Sequence, residues 1–219
     1  MSDSIKHECG IALLRLLKPL RYYQDKYGTS LYGLNKMYLL MQKQVNRGQD
    51  GAGLVNIKLD THPGKPYISR RRSAQQNSIE DVFSKISENF KQIKKHYPKE
   101  FENPEWLKEN CSFMGELFLG HLRYGTYGKN SITQCHPFLR QNNWKSRNLV
   151  LAGNFNMTNV EELLNQLIEL GQHPKEKSDT VTILEKIGHF LDEENARLYN
   201  QHKPHKKSNI EISKLIEEN

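Results

Sequence analysis

Short apolar runs alternate with amphipathic helical stripes along this chain, and that alternation most constrains what it can fold into. Cys9 to Leu14, Leu54 to Leu59, Gly115 to Gly120 and Leu149 to Gly153 have the length and composition of strands. Between them, Leu34, Met37, Tyr38, Met41 and Val45 recur at helical spacing, as do Ile79, Val82, Phe83, Ile86, Phe90 and Ile93. Further helices are predicted on Leu163, Leu164, Leu167 and Ile168, on Ile183, Leu184, Ile187, Phe190 and Leu191, and over 210–218. Residues 18–33 read as an irregular or partly helical excursion, and Thr61 to Pro66 as a turn. Gly48 is placed to supply a left-handed helix cap, Pro98 and Pro104 to break a helix, and Thr158 with Glu161 to form a capping box. The pattern has no repeats and no linker, and it predicts one α+β domain.

Composition narrows the class further. Of the 219 residues, 36% are hydrophobic and 26% charged, enough apolar material for a core. No apolar run approaches the roughly 18 residues of a membrane span, and the first residues lack the apolar stretch of a secretory signal. Three cysteines are an odd number and too few for a disulfide framework, so a reduced, cytoplasmic chain is expected. Lys and Arg exceed Asp and Glu by 32 to 25, a formal charge of +7. The excess includes Arg70, Arg71 and Arg72 and a small cluster from His202 to Lys207. Most of it is scattered and lacks interleaved aromatics, which argues against a nucleic-acid face. A basic cleft for a phosphorylated metabolite would have the same composition.

Several residues could carry chemistry, and each also has a purely architectural reading. Cys9 beside Gly10 reads as a buried core thiol, a metal ligand or a nucleophile, and no metal-type spacing accompanies it. Arg47 to Gly53 joins a helix to a strand through three glycines. Gly120 to Gly128 carries Arg123 out of a strand into a glycine-rich loop. Asn154, Phe155 and Asn156 follow a strand, and Asp179 reads most simply as a helix N-cap. His136, ahead of Pro137 and Phe138, reads as a solvated loop histidine.

Taken together and in order, these segments resemble the class II glutamine amidotransferases, the N-terminal-nucleophile glutaminase domains. Among these they are most similar to the glutaminase domains of amidophosphoribosyltransferases. The family pattern runs Cys-Gly, Arg-Gly-Gln-Asp/Glu-x-Ala-Gly, Gly-His-x-Arg-Tyr, Pro-Phe, Asn-Gly-Asn-x-Thr-Asn and Ser-Asp. The chain has Cys9-Gly10, Arg47 to Gly53, Gly120 to Tyr124, Pro137-Phe138, Asn154 to Asn159 and Ser178-Asp179. It departs from the pattern at Phe155, where the family has Gly, and at Asn46, where it usually has His. Residues 15–36 and 78–112 look like insertions.

The resemblance implies a four-layer αββα sandwich of the Ntn-hydrolase type, with two stacked antiparallel sheets and helices outside. It implies residues 1–8 as a leader, 9–192 as the glutaminase domain, and 193–219 as a polar basic segment leading to an absent phosphoribosyltransferase-like synthase domain. With the leader in place the chain would be an unprocessed precursor. Cys9, once N-terminal, would attack the glutamine side-chain amide, with its own α-amine as general base, because an acylated amine cannot accept the proton. Asn154 and the backbone N–H of Phe155 would form the oxyanion hole. Arg123, Tyr124, Thr126 and Asp179 would bind substrate, Arg123 at the α-carboxylate and Asp179 at the α-ammonium. Arg47 and Asp50 would organise the loop near Cys9. The resemblance implies no cofactor and no metal in this domain, glutamine as substrate, ammonia delivered to purine biosynthesis, and a homo-oligomer in full length. The competing reading is an inactive glutaminase-like module that binds glutamine or a partner, motivated by Phe155.

Overall fold

β1 (Gly10–Arg15) buries Gly10 and Ala12 and turns Ile11 and Leu13 outward, the two-residue alternation of a strand covered on one face. It is one edge strand of an antiparallel sheet with β2 (Gly51–Ile57), β3 (Ile68–Ser73) and β4 (Leu117–Arg123), in the order β1-β4-β2-β3. Gly10 lies opposite Leu122, and Gly51 opposite Arg123 on the other side of β4. β3 was not expected from the sequence. Its consecutive arginines are tolerated because it is an edge strand, where charged side chains also discourage pairing with another sheet.

These features come from a computed structural model that describes residues 8–125, 131–174, 177–205 and 207–218. The chain divides into two compact units. The first runs to Pro137 and includes Ala152–Asn154; the second comprises Phe138–Leu151 and the residues from Phe155 onward.

In the first unit, α2 (Tyr32–Gln42) packs on β1 and β4, while α3 (Ser78–His96) packs on β2 and β3. Their apolar stripes meet the sheet in one core that includes Met37, Met41, Leu54, Val82, Phe118 and Leu122. Each such side chain fully withdrawn from water contributes about 2 kcal/mol. Glu80 and Asp81 in the first turn of α3, with Lys94, Lys95 and His96 in its last, complement the helix dipole. The excursion after β1 forms α1 (Leu20–Tyr27), which ends on Gly28 at φ 73°. Pro104 opens a helix instead of breaking one: α4 (Pro104–Asn110) starts on it, and the Asn103 side chain accepts from the N–H groups of Glu105 and Trp106. Buried Asn56 pins the start of β4, donating to the carbonyls of Gly115 and Leu117 and accepting from the Gly115 N–H at 2.7 Å.

The second unit contains a two-stranded antiparallel sheet, β5 (Phe138–Arg140) with β6 (Leu149–Leu151). It also holds α5 (Val160–Glu169), α6 (Asp179–His202) and α7 (Asn209–Glu218). Asn159 precedes α5 with no side-chain capping bond, so the capping box expected from Thr158 and Glu161 does not form. Glu161 is instead turned to Lys177, 2.7 Å away. The α6 cap is Ser178, whose hydroxyl accepts from the Val181 N–H, and not Asp179. Arg140 lies across Gly188 of α6 and forks onto Asp192, with Glu185 at 3.1 Å. Helix and strand content make the chain α+β with antiparallel sheets, as the sequence pattern predicts.

Candidate functional site

Cys9 stands one residue before β1, and the register of that strand carries it opposite Arg123. Its thiol is partly buried. The sulfur accepts from the backbone N–H of Tyr124 at 3.5 Å and lies 4.0 Å from the Tyr124 carbonyl. Arg47 reaches the same residue from the loop before β2, with its Nε 3.5 Å from the Cys9 carbonyl and its guanidinium 3.3 Å from the Glu8 carboxylate. Asp50 completes the cluster. Its N–H donates to the Arg123 carbonyl at 3.0 Å, and its carboxylate accepts from the Gly125 N–H at 2.7 Å.

The glycines of the Arg47–Gly53 loop are required by close approach. Gly48 is not the left-handed cap expected from the sequence: it is extended, at φ −155° and ψ 116°. A Cβ there would come within 2.7 Å of the Leu122 carbonyl, so the loop can lie on β4 only with glycine. On β2, a Cβ at Gly53 would come within 1.9 Å of the His136 carbonyl oxygen, and one at Gly51 within 2.6 Å of the Cys135 sulfur. The 135–136 segment thus crosses the sheet face opposite α2 and α3.

That crossing corrects the expectation for His136, which is buried and not solvated. Its ring stacks on His121 of β4, and its Nδ1 accepts from the Gly153 N–H at 3.2 Å, one residue before Asn154. Burial draws the His136 imidazole down to about 3 and that of His121 to about 4, so both rings are neutral at ordinary pH. Sequence reasoning assigned neither histidine a role. The available signal was the pairing of Gly53 with a histidine two residues before Arg123, which no local periodicity reports.

The Arg123 guanidinium donates to Gln134 at 2.7 Å and folds over Gly125. Asn154 is exposed at the end of the first unit. Phe155 and Asp179 belong to the second unit. Phe155 is not among the described residues with positive φ, so a side chain there carries no left-handed backbone strain. The Asp179 carboxylate accepts from the Met157 N–H at 2.8 Å. Thr126 lies outside the described residues. The structure therefore brings Cys9, Arg47, Asp50, Arg123 and Tyr124 together at one end of the sheet. Among the described residues no group of three metal-ligating side chains forms, and no helix is long and apolar enough to cross a membrane.

These motifs and whole-sequence similarity point the same way: the likeness is to a class II glutamine amidotransferase domain. The particular relatives are amidophosphoribosyltransferases. The chain is 27% identical over 147 residues to that of Pseudomonas aeruginosa, covering 67% of this chain and 23% of the relative. It is 26% identical over 187 residues to the chloroplastic amidophosphoribosyltransferase 3 of Arabidopsis thaliana, covering 84% of this chain and 26% of the relative. A solved structure of glutamine phosphoribosylpyrophosphate amidotransferase from B. subtilis aligns with 25% identity and a TM-score of 0.42, over 77% of this chain and 27% of that one. No family model matches the chain. The chain spans about a quarter of the length of the curated relatives it matches.

Proposed function

We propose that residues 9–192 are a glutaminase domain that hydrolyses glutamine to glutamate and ammonia through a thioester on Cys9. The observation that carries the reading is the sulfur of Cys9 held against the Tyr124 backbone beside Arg123, on a sheet whose motifs match glutamine amidotransferases in order. While Glu8 is attached, the nitrogen of Cys9 is an amide and cannot act as a base, so residues 1–8 are a leader whose removal switches the site on. The freed amine takes the thiol proton as sulfur attacks the carboxamide carbon. The same proton passes to the departing nitrogen, which leaves as ammonia. Water then cleaves the thioester and releases glutamate.

Each remaining residue has a role suited to its chemistry. Asn154 and the Phe155 N–H receive the developing oxyanion, a donor pair whose members are typically worth about 3 kcal/mol each in the transition state. Arg123 pairs with the α-carboxylate, where a planar guanidinium gives bidentate selectivity, and Tyr124 and Thr126 border the substrate. Asp179 takes the α-ammonium, a role that rests on the resemblance alone. Arg47 and Asp50 fix the loop around Cys9. The four-layer Ntn-type arrangement, a synthase domain beyond residue 193 that uses the ammonia for purine biosynthesis, oligomerisation in full length and a cytoplasmic location belong to the same proposal.

The test is glutamate and ammonia release by protein made to begin at Cys9. Turnover abolished by Cys9→Ser and lowered about a hundredfold or more by Asn154→Ala supports the reading. Turnover that survives Cys9→Ser rejects it. Glutamine binding without any turnover by the processed, folded chain assigns it instead to an inactive glutamine-binding module, which the bulk of Phe155 would favour.

A further inference from the structure

The candidate site leaves the arginine run of β3 and the inserted segment 78–112 without a role, and the two meet at a cavity. It measures about 400 Å³ and lies on the helix-covered side of the β3 edge, between α3 and residues 111–113. Such a volume is within the range of small-molecule sites. Lys58, Arg71, Lys85, Asn89 and Ser112 are among its lining residues. Glu109 also lines it, but its carboxylate is held by Lys65 at 3.2 Å.

Lys58 is the unusual member. It follows β2 and is only 4% exposed, yet among the described residues its ammonium makes no ion pair and no hydrogen bond. The acids that attract it, Glu116 and Glu109, also serve other cations. Glu116 is paired with Lys108 at 2.5 Å and accepts the Leu59 N–H, and Glu109 is paired with Lys65 at 3.2 Å. Burial, opposed by the nearby Cys111 sulfur, lowers the Lys58 pKa. Glu116 and Glu109 offset only part of the cost of burying this cation, and an anion in the cavity would offset the rest. Arg71, two strand positions from Ser73 on the same face of β3, is attracted by Asp81 without forming a close ion pair and adds a planar set of donors at the rim. The cavity thus offers Lys58 and Arg71, with Asp81-paired Lys85 beside them and the neutral donors Asn89 and Ser112 in its lining.

We propose that this cavity binds a phosphate group, free or carried by a small metabolite. Its cations stand on separate segments of the chain, which suits a phosphate with three or more acceptor oxygens better than a carboxylate with two. The inserted segment then has a purpose: α3 and the turn after α4 wall in a ligand site separate from Cys9.

The test is calorimetric titration of the full chain at low ionic strength with inorganic phosphate, glycerol 3-phosphate and acetate, and it needs no glutaminase activity, so it stands whatever becomes of the glutaminase reading. Saturable binding of either phosphate, absent with acetate, is expected. Lys58→Met and, independently, Arg71→Ala should each weaken it about tenfold. Tighter binding of glycerol 3-phosphate identifies an organic phosphate as the ligand, and equal binding identifies the bare ion. Arg71→Ala alters an exposed side chain and serves if Lys58→Met does not fold. No saturable binding, equal binding of acetate, or affinity unchanged in the folded variants overturns the proposal.

Discussion

The rings of His121 and His136 lie stacked, centroids 4.5 Å apart and planes within 20°, although 15 residues separate them in the chain. Both are buried, and burial is the largest cause holding them neutral; Arg123 adds like charge to both, and His136 also feels His121 and Arg72. The folded values of about 4 and about 3 lie below the ordinary 6.5. Below pH 6.5 the unfolded chain therefore binds more protons than the folded one. The stability these rings contribute is complete above 6.5 and is lost as pH falls toward 4 and then 3, at up to about 1.4 kcal/mol per pH unit for each ring. Urea midpoints measured from pH 8 to pH 4.5 should fall accordingly. His121→Phe keeps a ring in the stack and removes one titrating group, so its curve should be the shallower. Parallel curves would contradict this account.

Gly53 and Gly64 separate two reasons for a glycine. At Gly64 the backbone has φ +83° with open space around it, so Gly64→Ala should cost about 1 kcal/mol of backbone strain. At Gly53 the obstacle is the His136 carbonyl, a backbone atom that cannot swing aside. Gly53→Ala should cost about 3 kcal/mol or more, the upper range for overpacking. Equal losses in thermal unfolding would mean that the 135–136 segment does not cross β2.

The Asp50 carboxylate accepts from the Gly125 N–H, two residues after β4. Asp50→Ala should lower stability by about 1.5 kcal/mol, the usual worth of a hydrogen bond to a charged acceptor, and speed amide exchange at Gly125. Asp50→Asn retains an acceptor oxygen and should restore part of the protection. Unchanged exchange in the alanine variant would show that Asp50 does not hold the Gly125 N–H.

In the second unit, Arg140 joins β5 to α6 through Asp192 and Glu185. Its side chain is 16% exposed and its partners about a third, so solvent screens part of the attraction. Arg140→Met should cost about 2 kcal/mol, because two acids lose their shared cation. Arg140→Lys should recover less than half, since an ammonium cannot make the fork. Full recovery by lysine would show that charge alone matters there.

Much of this architecture is legible in sequence wherever one element supplies its own pattern. Ile79, Val82, Phe83, Ile86 and Phe90 announce α3 and are buried on one side of it. Gly10 to Leu14 announces β1, and the order of short motifs singles out Cys9, Arg47, Asp50 and Arg123. What stayed hidden depends on chain-distant neighbours. Three arginines conceal β3 because an edge strand need not alternate apolar residues. The conformation of Gly48 is set by β4, seventy residues on, and not by the helix it follows. His136 reads as solvated because nothing local reveals that Gly53 leaves room for it.

The proposed role of Cys9 as a glutamine-directed nucleophile is open to direct labelling. Protein made to begin at Cys9 should be incubated with the reactive glutamine analogue diazo-oxo-norleucine and its intact mass recorded. The account predicts a single adduct, mapped to Cys9, suppressed by excess glutamine and absent in Cys9→Ser. Folded protein that stays unlabelled, or takes up label at Cys111 or Cys135 as readily as at Cys9, would contradict it.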